Sequence, residues 1–401
     1  MTVKFTLPPG FRQLAPDTRT DEQIARLLQT HQPVSASEKN VWAFWDSGWT
    51  GMRPWCQRNI INWVRRLGPE WTVRVLDNVE GSVNNMLRFV PSSHFPAAYN
   101  DGTLAGPPQH LSDLLRLPLL FLYGGVWMDA GMLLLRHLDD ICWREIASPA
   151  SAYEMAGVLM PLRAAPGPML NGFIACRRGN AMVQHWHAVY CALWQGKTSA
   201  DGFHQHPLLA HLAPYEVQIA QLECPPLLIP NAMLGDYLAH FLALERLHHL
   251  YDPASGFDGA EYFAEKILKL KATDHLYYAQ RITGWDGRKQ YDMLATAVDD
   301  VHAPLHADAS QFVDDVLRNS ALIKLSHGPP CGLENLASIW DEEARAEDDI
   351  APGTFADYLR YASVSWDLCG GPIEPVVVEK PKNVFKAGVL EPIQYLTELT
   401  C

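Results

Sequence analysis

The sequence predicts an α/β fold built on a mainly parallel sheet, and three observations carry that prediction. The apolar run VWAFWD (41–46) suits a buried strand, a helix pattern begins at Pro54, and EWTVRVLD (70–77) alternates like a half-buried strand. This order of strand, helix and strand is typical of the opening of a parallel nucleotide-binding sheet. At 401 residues, the chain can form one large α/β domain or two average ones.

Composition narrows the class of protein. Hydrophobic residues make up 48% of the chain and charged residues 19%, which is typical of a soluble globular protein. The net charge of −13 argues against a protein that coats nucleic acid, because such proteins need basic surface. We see no signal peptide and no run near the roughly 18 apolar residues of a membrane span. The eight scattered cysteines form no CxxC pair, so we expect reduced thiols and a cytoplasmic protein.

The remaining elements follow from apolar periodicity. Residues 1–39 predict an extended N-terminal arm with one short helix, and 109–123 (QHLSDLLRLPLLFLY) predicts a buried helix that Ser112 caps. Downstream we expect a strand at 171–178, a helix at 181–195, and further helices in DYLAHFLALERLHHL and AEYFAEKILKLKA. SALIKLSHG (320–328) predicts a late strand that ends at His327, and 331–401 predicts a tail that wraps the surface.

Two charged residues lie on the predicted helix at 109–123. Asp113 and Arg116 are three residues apart and therefore share one helix face. Charged groups on a buried helix need partners. From spacing alone, a simple ion pair and a ligand-binding role remain equally open.

The stretch YGGVWMDAG (123–131) places Asp129 at the carboxyl end of a predicted strand, where ligands bind in open α/β sheets. Enzymes that hold a divalent metal and a diphosphate often have an Asp-any-Asp pair there, but the second position here is Gly131. Asp129 is therefore either a metal ligand or a turn or cap residue. His327 is likewise a second ligand or a structural histidine, and Trp45 either stacks on a base or belongs to the core.

The order of these blocks is more specific than any one of them. NVWAFWDSGW, NIINWVRRLGPEWTVRVLD, HLSDLLRLPLLFLYGGVWMDAG, NGFIACRRGN and LIKLSHG together resemble the capsular-polysaccharide-synthesis type of glycosyltransferase over roughly residues 40–330. The resemblance implies a GT-A-like (Rossmann-like) mixed, mainly parallel sheet flanked by helices, with added helical segments. It divides 40–330 into a nucleotide or donor half (40–200) and a mostly helical acceptor half (200–330).

The resemblance also implies roles in donor binding. Trp45 would stack on the nucleotide base, with the Gly48 loop beneath the nucleotide. Asp113 would accept hydrogen bonds from ribose or sugar hydroxyls, and Arg116 would contact the sugar or the diphosphate.

A second group of implied roles concerns the metal and the sugar. Asp129 would bind Mn²⁺ or Mg²⁺ that bridges the two phosphates, His327 would approach that metal, and Asn171 would face the sugar. The family often has Asp or Thr where Gly131 stands, so we expect metal binding to be weak or dependent on the nucleotide.

Three functions fit these observations. The first is transfer of a sugar from a nucleotide-sugar to a small-molecule or glycan acceptor, in the manner of fungal enzymes of secondary metabolism. The alternative is a fungal cyclodipeptide synthase that uses aminoacyl-tRNA to form a cyclic arginine-containing dipeptide. WVRRLG and CRRGN would supply a local basic strip, and Asp113 and Asp129 would face a guanidinium or an α-amine. The third is a nucleotide-sugar-like binding module without catalysis. This function is disfavoured because the chain retains all five polar site residues: Asp113, Arg116, Asp129, Asn171 and His327.

Overall fold

A computed structural model describes residues 4–162, 167–212, 230–327, 332–371 and 373–393. Within these residues the strands are, in chain order, β1 (Phe11–Gln13), β2 (Asn40–Phe44), β3 (Thr72–Leu76), β4 (Gly125–Met128), β5 (Met132–Leu134), β6 (Met155–Leu159), β7 (Met169–Cys176), β8 (Leu250–Asp252), β9 (Phe257–Asp258), β10 (Ile267–Lys271), β11 (Leu322–Lys324), β12 (Trp366–Leu368) and β13 (Phe385–Lys386). The α-helices are α1 (Asp21–Leu28), α2 (Pro54–Leu67), α3 (Ala97–Asn100), α4 (Gln109–Tyr123), α5 (Arg144–Ala147), α6 (Ala181–Leu193), α7 (Asn231–Tyr237), α8 (Ala239–His248), α9 (Gly259–Glu261), α10 (Ala272–His275), α11 (Tyr278–Ile282), α12 (Gly287–Leu294), α13 (His306–Asn319), α14 (Leu336–Trp340) and α15 (Phe355–Ser365).

A six-stranded mixed sheet in the order β10-β6-β7-β4-β2-β3 forms the centre of the fold. The β2–β3, β2–β4 and β6–β10 pairs are parallel, and β7 runs antiparallel to both of its neighbours. The predicted mixed α/β sheet is therefore present. Because β7 runs opposite to β4, the beginning of β7 meets the carboxyl end of β4, and this brings Asn171 beside Asp129.

Helices cover both faces of the sheet, and the residues of β2 show how the layers form. Val41 and Ala43 belong to one buried core, together with α2, α13 and α15, whereas Trp42 and Phe44 belong to the other, together with α4, α6 and α8. Successive strand residues point to opposite faces, so the near-continuous apolar run of β2 fits a strand that is buried on both sides.

The second half of the AEYFAEKILKLKA segment is a strand, not the predicted helix. The chain makes one turn as α9, widens into a π-helical turn at Tyr262–Lys266 and then enters the sheet as β10. Lys269 is buried, and its Nζ donates to the carbonyl oxygens of Phe263, Ala264 and Ile267 at 2.6, 2.9 and 2.8 Å. These bonds satisfy carbonyls that a longer helix would have used. A strand of the sheet thus comes from the predicted acceptor half.

The two ends of the described chain pack together. β1, in the predicted arm, pairs with β12 of the predicted tail, and α1 is the short helix expected within 1–39. Helix α15 packs against α2, so the region 331–401 contributes a buried helix as well as surface coil.

A group of buried and partly buried charges joins α2 to α15. Asp349 accepts hydrogen bonds from Arg58 Nε at 3.0 Å and from Arg360. Arg360 also donates to Asn59 Oδ1 at 3.0 Å, and Asn59 Nδ2 donates to the Ala130 carbonyl at 3.2 Å. We call Arg58, Asp349 and Arg360 the α2–α15 cluster.

Candidate active site

A partly open cavity of about 320 Å³ lies at the carboxyl end of β4. Charged and amide side chains lie on its wall beside the sheet: Asp113, Arg116, Asp129, Asn171 and Lys324. Apolar and aromatic side chains make up much of the remaining wall, including Leu170, Leu234, Tyr237, Phe241, Tyr277, Trp285 and Leu336. A largely apolar pocket with a few convergent polar groups is the usual form of a small-molecule site.

Helix α4 supplies the first ion pair, and its start differs from the prediction. The helix begins at Gln109 after Pro108, so Ser112 lies inside it and does not cap it. Arg116 Nη2 lies 2.6 Å from Asp113 Oδ1 and 2.9 Å from Ser112 Oγ. Both charged side chains are buried and both line the cavity, so the ion-pair and ligand-binding interpretations are compatible.

Asn171 links this pair to the opposite wall. Its Nδ2 donates to Asp113 Oδ1 at 2.9 Å and lies 3.2 Å from Nδ1 of His240, a buried residue of α8. Burial, opposed by the charge of Arg116 and assisted by the charge of Asp129, raises the pKa of Asp113 to about 6. Asp113 is therefore an acid that titrates just below neutral pH.

Asp129 is held by donors on both carboxylate oxygens. Oδ1 accepts from Trp127 Nε1 at 2.9 Å and lies 3.6 Å from Arg116 Nη1, while Oδ2 accepts from Lys324 Nζ at 3.0 Å. Burial alone would raise the pKa of Asp129, but the charges of Lys324 and Arg116 outweigh it and lower the pKa. The carboxylate is thus ionised and paired. We call Asp113, Arg116, Asp129 and Lys324 the cavity cluster.

Lys324 was not among the site residues predicted from the sequence. It ends β11, which pairs with β5 in register with Met132, so the late strand ends at Lys324 and not at His327 as predicted. A signal was present: a lysine within the apolar run ALIKL needs acceptors for its ammonium group when it is buried, and an acid is one such partner. What spacing could not supply was the identity of that acid, 195 residues earlier in the chain.

Two glycines make room for the Asp129–Lys324 pair. A Cβ at Gly172 would lie 2.6 Å from Asp129 Oδ2 and 2.7 Å from Lys324 Nζ, so any side chain there would displace both groups. A Cβ at Gly131 would lie 2.3 Å from the Leu325 carbonyl oxygen. The position where an Asp-any-Asp pair has its second acid is therefore filled by the backbone that follows β11.

The remaining predicted residues lie in other settings. His327 lines the cavity, but its Nε2 lies 2.7 Å from Asp341 Oδ2. Trp45 and Gly48 form a turn after β2, in which the Gly48 N–H donates to the Trp45 carbonyl at 2.9 Å and Trp45 Nε1 donates to the Gly51 carbonyl at 3.1 Å. Gly48 has φ 75°, which favours glycine. Trp45 and Gly48 are not among the described residues that line the cavity.

The arrangement does not fit the predicted metal. Both oxygens of Asp129 already accept hydrogen bonds, and the positive charge beside Oδ2 is an ammonium group. His327, the other predicted ligand, is bound to Asp341. Across the described ranges, no three His, Cys, Asp or Glu side chains form a metal-ligand group. Metal binding stays a prediction.

The sheet, its buried acids and bases, and the mixed polar and apolar cavity define the class as an α/β protein with a ligand-binding cavity beside its sheet. Comparisons with known proteins narrow that class. The family described as capsular polysaccharide synthesis protein matches residues 13–237, and the chain belongs to this family. Lys324 lies beyond the matched range.

Relatives cover almost the whole chain. O-glycosyltransferase braB of Annulohypoxylon truncatum is 48% identical over 98% of this chain and 95% of its own length. Glycosyltransferase afumC of Aspergillus fumigatus is 45% identical over 94% and 97%, and O-glycosyltransferase PaGT of Phomopsis amygdali is 39% identical over 89% and 90%. The protein is thus a transferase of the glycosyltransferase type. In the described part of the chain, no helix is both long and apolar enough to cross a membrane.

Proposed function

We propose that the protein transfers a sugar from a nucleotide-sugar to a hydroxyl group of a small-molecule acceptor, in fungal secondary metabolism. One observation carries the proposal: buried acids and bases converge on one wall of a cavity whose other walls are largely apolar and aromatic. Such walls suit an apolar acceptor better than a polar glycan chain. The names of the relatives braB and PaGT support oxygen as the acceptor atom. We place the reaction in the cytoplasm, where the free cysteines among the described residues would stay reduced.

The proposal gives each polar group a task. Asp113, with a pKa of about 6, is ionised at neutral pH and can accept hydrogen bonds from sugar or ribose hydroxyls. Arg116 orients Asp113 and presents its guanidinium to the donor phosphates. Asn171 fixes the Asp113 carboxylate and faces the sugar. Trp45 and the Gly48 turn would bind the nucleotide base outside the cavity.

The alternative, an aminoacyl-tRNA-dependent synthase of arginine-containing cyclodipeptides, has less support. An arginine pocket needs an acid that is free to bind a guanidinium. Asp113 already binds Arg116, and Asp129 binds Lys324. The relatives reported above are also named as glycosyltransferases.

One incubation series tests both functions. Purified protein is incubated with a panel of nucleotide-sugars and hydroxylated apolar acceptors, with Mn²⁺, with Mg²⁺ and with EDTA. In parallel, it is incubated with amino acids, ATP and charged tRNA, with and without ribonuclease. We expect release of a nucleoside diphosphate together with a glycosylated product. Dipeptide formation that ribonuclease abolishes, without sugar transfer, would refute the proposal.

A further inference from the structure

A cation that meets the donor phosphates is expected beside Asp129. Sugar transfer leaves a nucleoside diphosphate, whose developing negative charge needs a positive partner. A divalent metal at Asp129 would have to displace Lys324 Nζ, which lies 3.0 Å from Oδ2. The disagreement between the predicted metal and the observed donors therefore points to Lys324.

The backbone holds Lys324 in this place from two sides. Its N–H donates to the Leu276 carbonyl at 3.0 Å, and its carbonyl accepts from Gln280 Nε2 at 2.8 Å. The next residue, Leu325, donates its N–H to the Gly131 carbonyl at 2.8 Å. These hydrogen bonds fix the backbone from which the Lys324 side chain reaches Asp129.

The surroundings leave Lys324 able to bind a ligand. Its side chain is 16% exposed and lines the cavity. An ammonium group has three N–H donors, and the contact with Asp129 uses one of them. Arg116 also faces Asp129, with Nη1 3.6 Å from Oδ1, so two cations lie on one side of the cavity. Because Gly172 has no side chain, there is space beside it for the Asp129 carboxylate and the Lys324 ammonium group.

We propose that the Lys324 ammonium, positioned by Asp129, binds the diphosphate of the donor and takes the place of a divalent metal. This inference rests on the proposed sugar transfer. In that reaction the bond between the anomeric carbon and the diphosphate oxygen breaks with its electron pair on the oxygen. A new bond joins the anomeric carbon to the acceptor oxygen, and the acceptor proton leaves to water. Lys324 donates hydrogen bonds to the diphosphate before and after the transfer and remains protonated.

Calorimetric binding of uridine, guanosine and adenosine diphosphates tests the proposal directly. The wild-type protein is titrated in EDTA and again in Mn²⁺ or Mg²⁺. We expect at least one diphosphate to bind in EDTA with a Kd that metal leaves unchanged. Lys324→Met should weaken that binding by about 10- to 100-fold, the range for a lost charge-assisted hydrogen bond.

Further variants separate this role from a structural one. Asp129→Asn retains the ammonium group and should weaken diphosphate binding less than Lys324→Met does, whereas a metal site would give the reverse order. Gly172→Ala should weaken binding by crowding Lys324 Nζ. The matched control is Lys380→Met, which removes a lysine that pairs with Asp258 at 2.6 Å, outside the residues lining the cavity, and should leave the Kd unchanged.

Two results would overturn the proposal. Wild-type binding that occurs only with metal would refute the role of Lys324 and leave sugar transfer intact, and this comparison needs no variant to fold. Failure of every diphosphate to bind, with and without metal, would refute sugar transfer itself.

Discussion

The cavity cluster and the α2–α15 cluster bury similar charges in different surroundings. Asp349 is 0% exposed and is enclosed by Arg58 and Arg360, between two packed helices. Asp113 and Arg116 are almost as buried, yet both line a cavity. Ion pairs packed on all sides by protein join elements of the fold. Ion pairs on a cavity wall keep some of their hydrogen-bond donors and acceptors available to a ligand. The same kinds of charged group can therefore bind a ligand in the cavity.

The largest effect we predict concerns stability and the α2–α15 cluster. Asp349→Ala should lower the free energy of unfolding by about 3–5 kcal/mol, because the buried guanidinium group of Arg360 and the partly buried one of Arg58 lose the carboxylate between them. Chemical denaturation measures this loss, and the KM values of the folded protein should not change. The control Asp140→Ala breaks an exposed pair with Arg144 and should cost less than about 1 kcal/mol. Equal losses for the two variants would contradict the comparison.

The next effect concerns catalysis and the cavity cluster. Asp113→Asn should lower kcat/KM for sugar transfer by about 10- to 100-fold, because hydrogen bonds of a charged group are lost. The free energy of unfolding at pH 7 should stay the same or rise, since burial raises the pKa of Asp113 to about 6 and so disfavours the ionised form. Steady-state kinetics and chemical denaturation are the measurements. A variant that loses stability but retains full activity would make Asp113 a structural residue.

The smallest effect is a pH dependence. If ionised Asp113 is required, kcat/KM should fall about tenfold per pH unit below pH 6, and Asp113→Asn should lack that limb. The free energy of unfolding should change with pH in the opposite direction. The pKa of Asp113 in the folded protein, about 6, lies above its unfolded value near 3.9. The stabilisation that Asp113 contributes is therefore fully present below about pH 4 and is lost as the pH rises through 6. An Asp113→Asn profile with the same acid limb would assign that limb to another group.

Local pattern predicted much of the central fold. The strand at 40–44, the helix at 54–67 and the helix at 109–123 follow from apolar periodicity and from Pro and Gly at helix ends. The helix predicted at 260–272 was wrong in its second half, because a short apolar run fits a helix and a buried strand equally well. In the folded protein, Lys269 donates hydrogen bonds to backbone carbonyls just before and within the strand.

The candidate site was predictable where a residue belongs to a local pattern or to one of the sequence blocks that carry the resemblance. Asp113, Arg116, Asp129 and Asn171 were selected by helix spacing, by strand position and by resemblance, and all four line one cavity. Lys324 was missed because its partner depends on the pairing of β5 with β11, which no local pattern encodes.

The separation of Asp129 and Lys324 by 195 residues also sets an order of events during protein synthesis. At about 5–20 residues per second, a ribosome needs roughly 10–40 seconds to add the lysine after the acid. During that interval the nascent chain has the acid without its base. The site is therefore completed late, when β11 emerges and closes on β5, and unfinished chains cannot hold a diphosphate in the way the complete protein would.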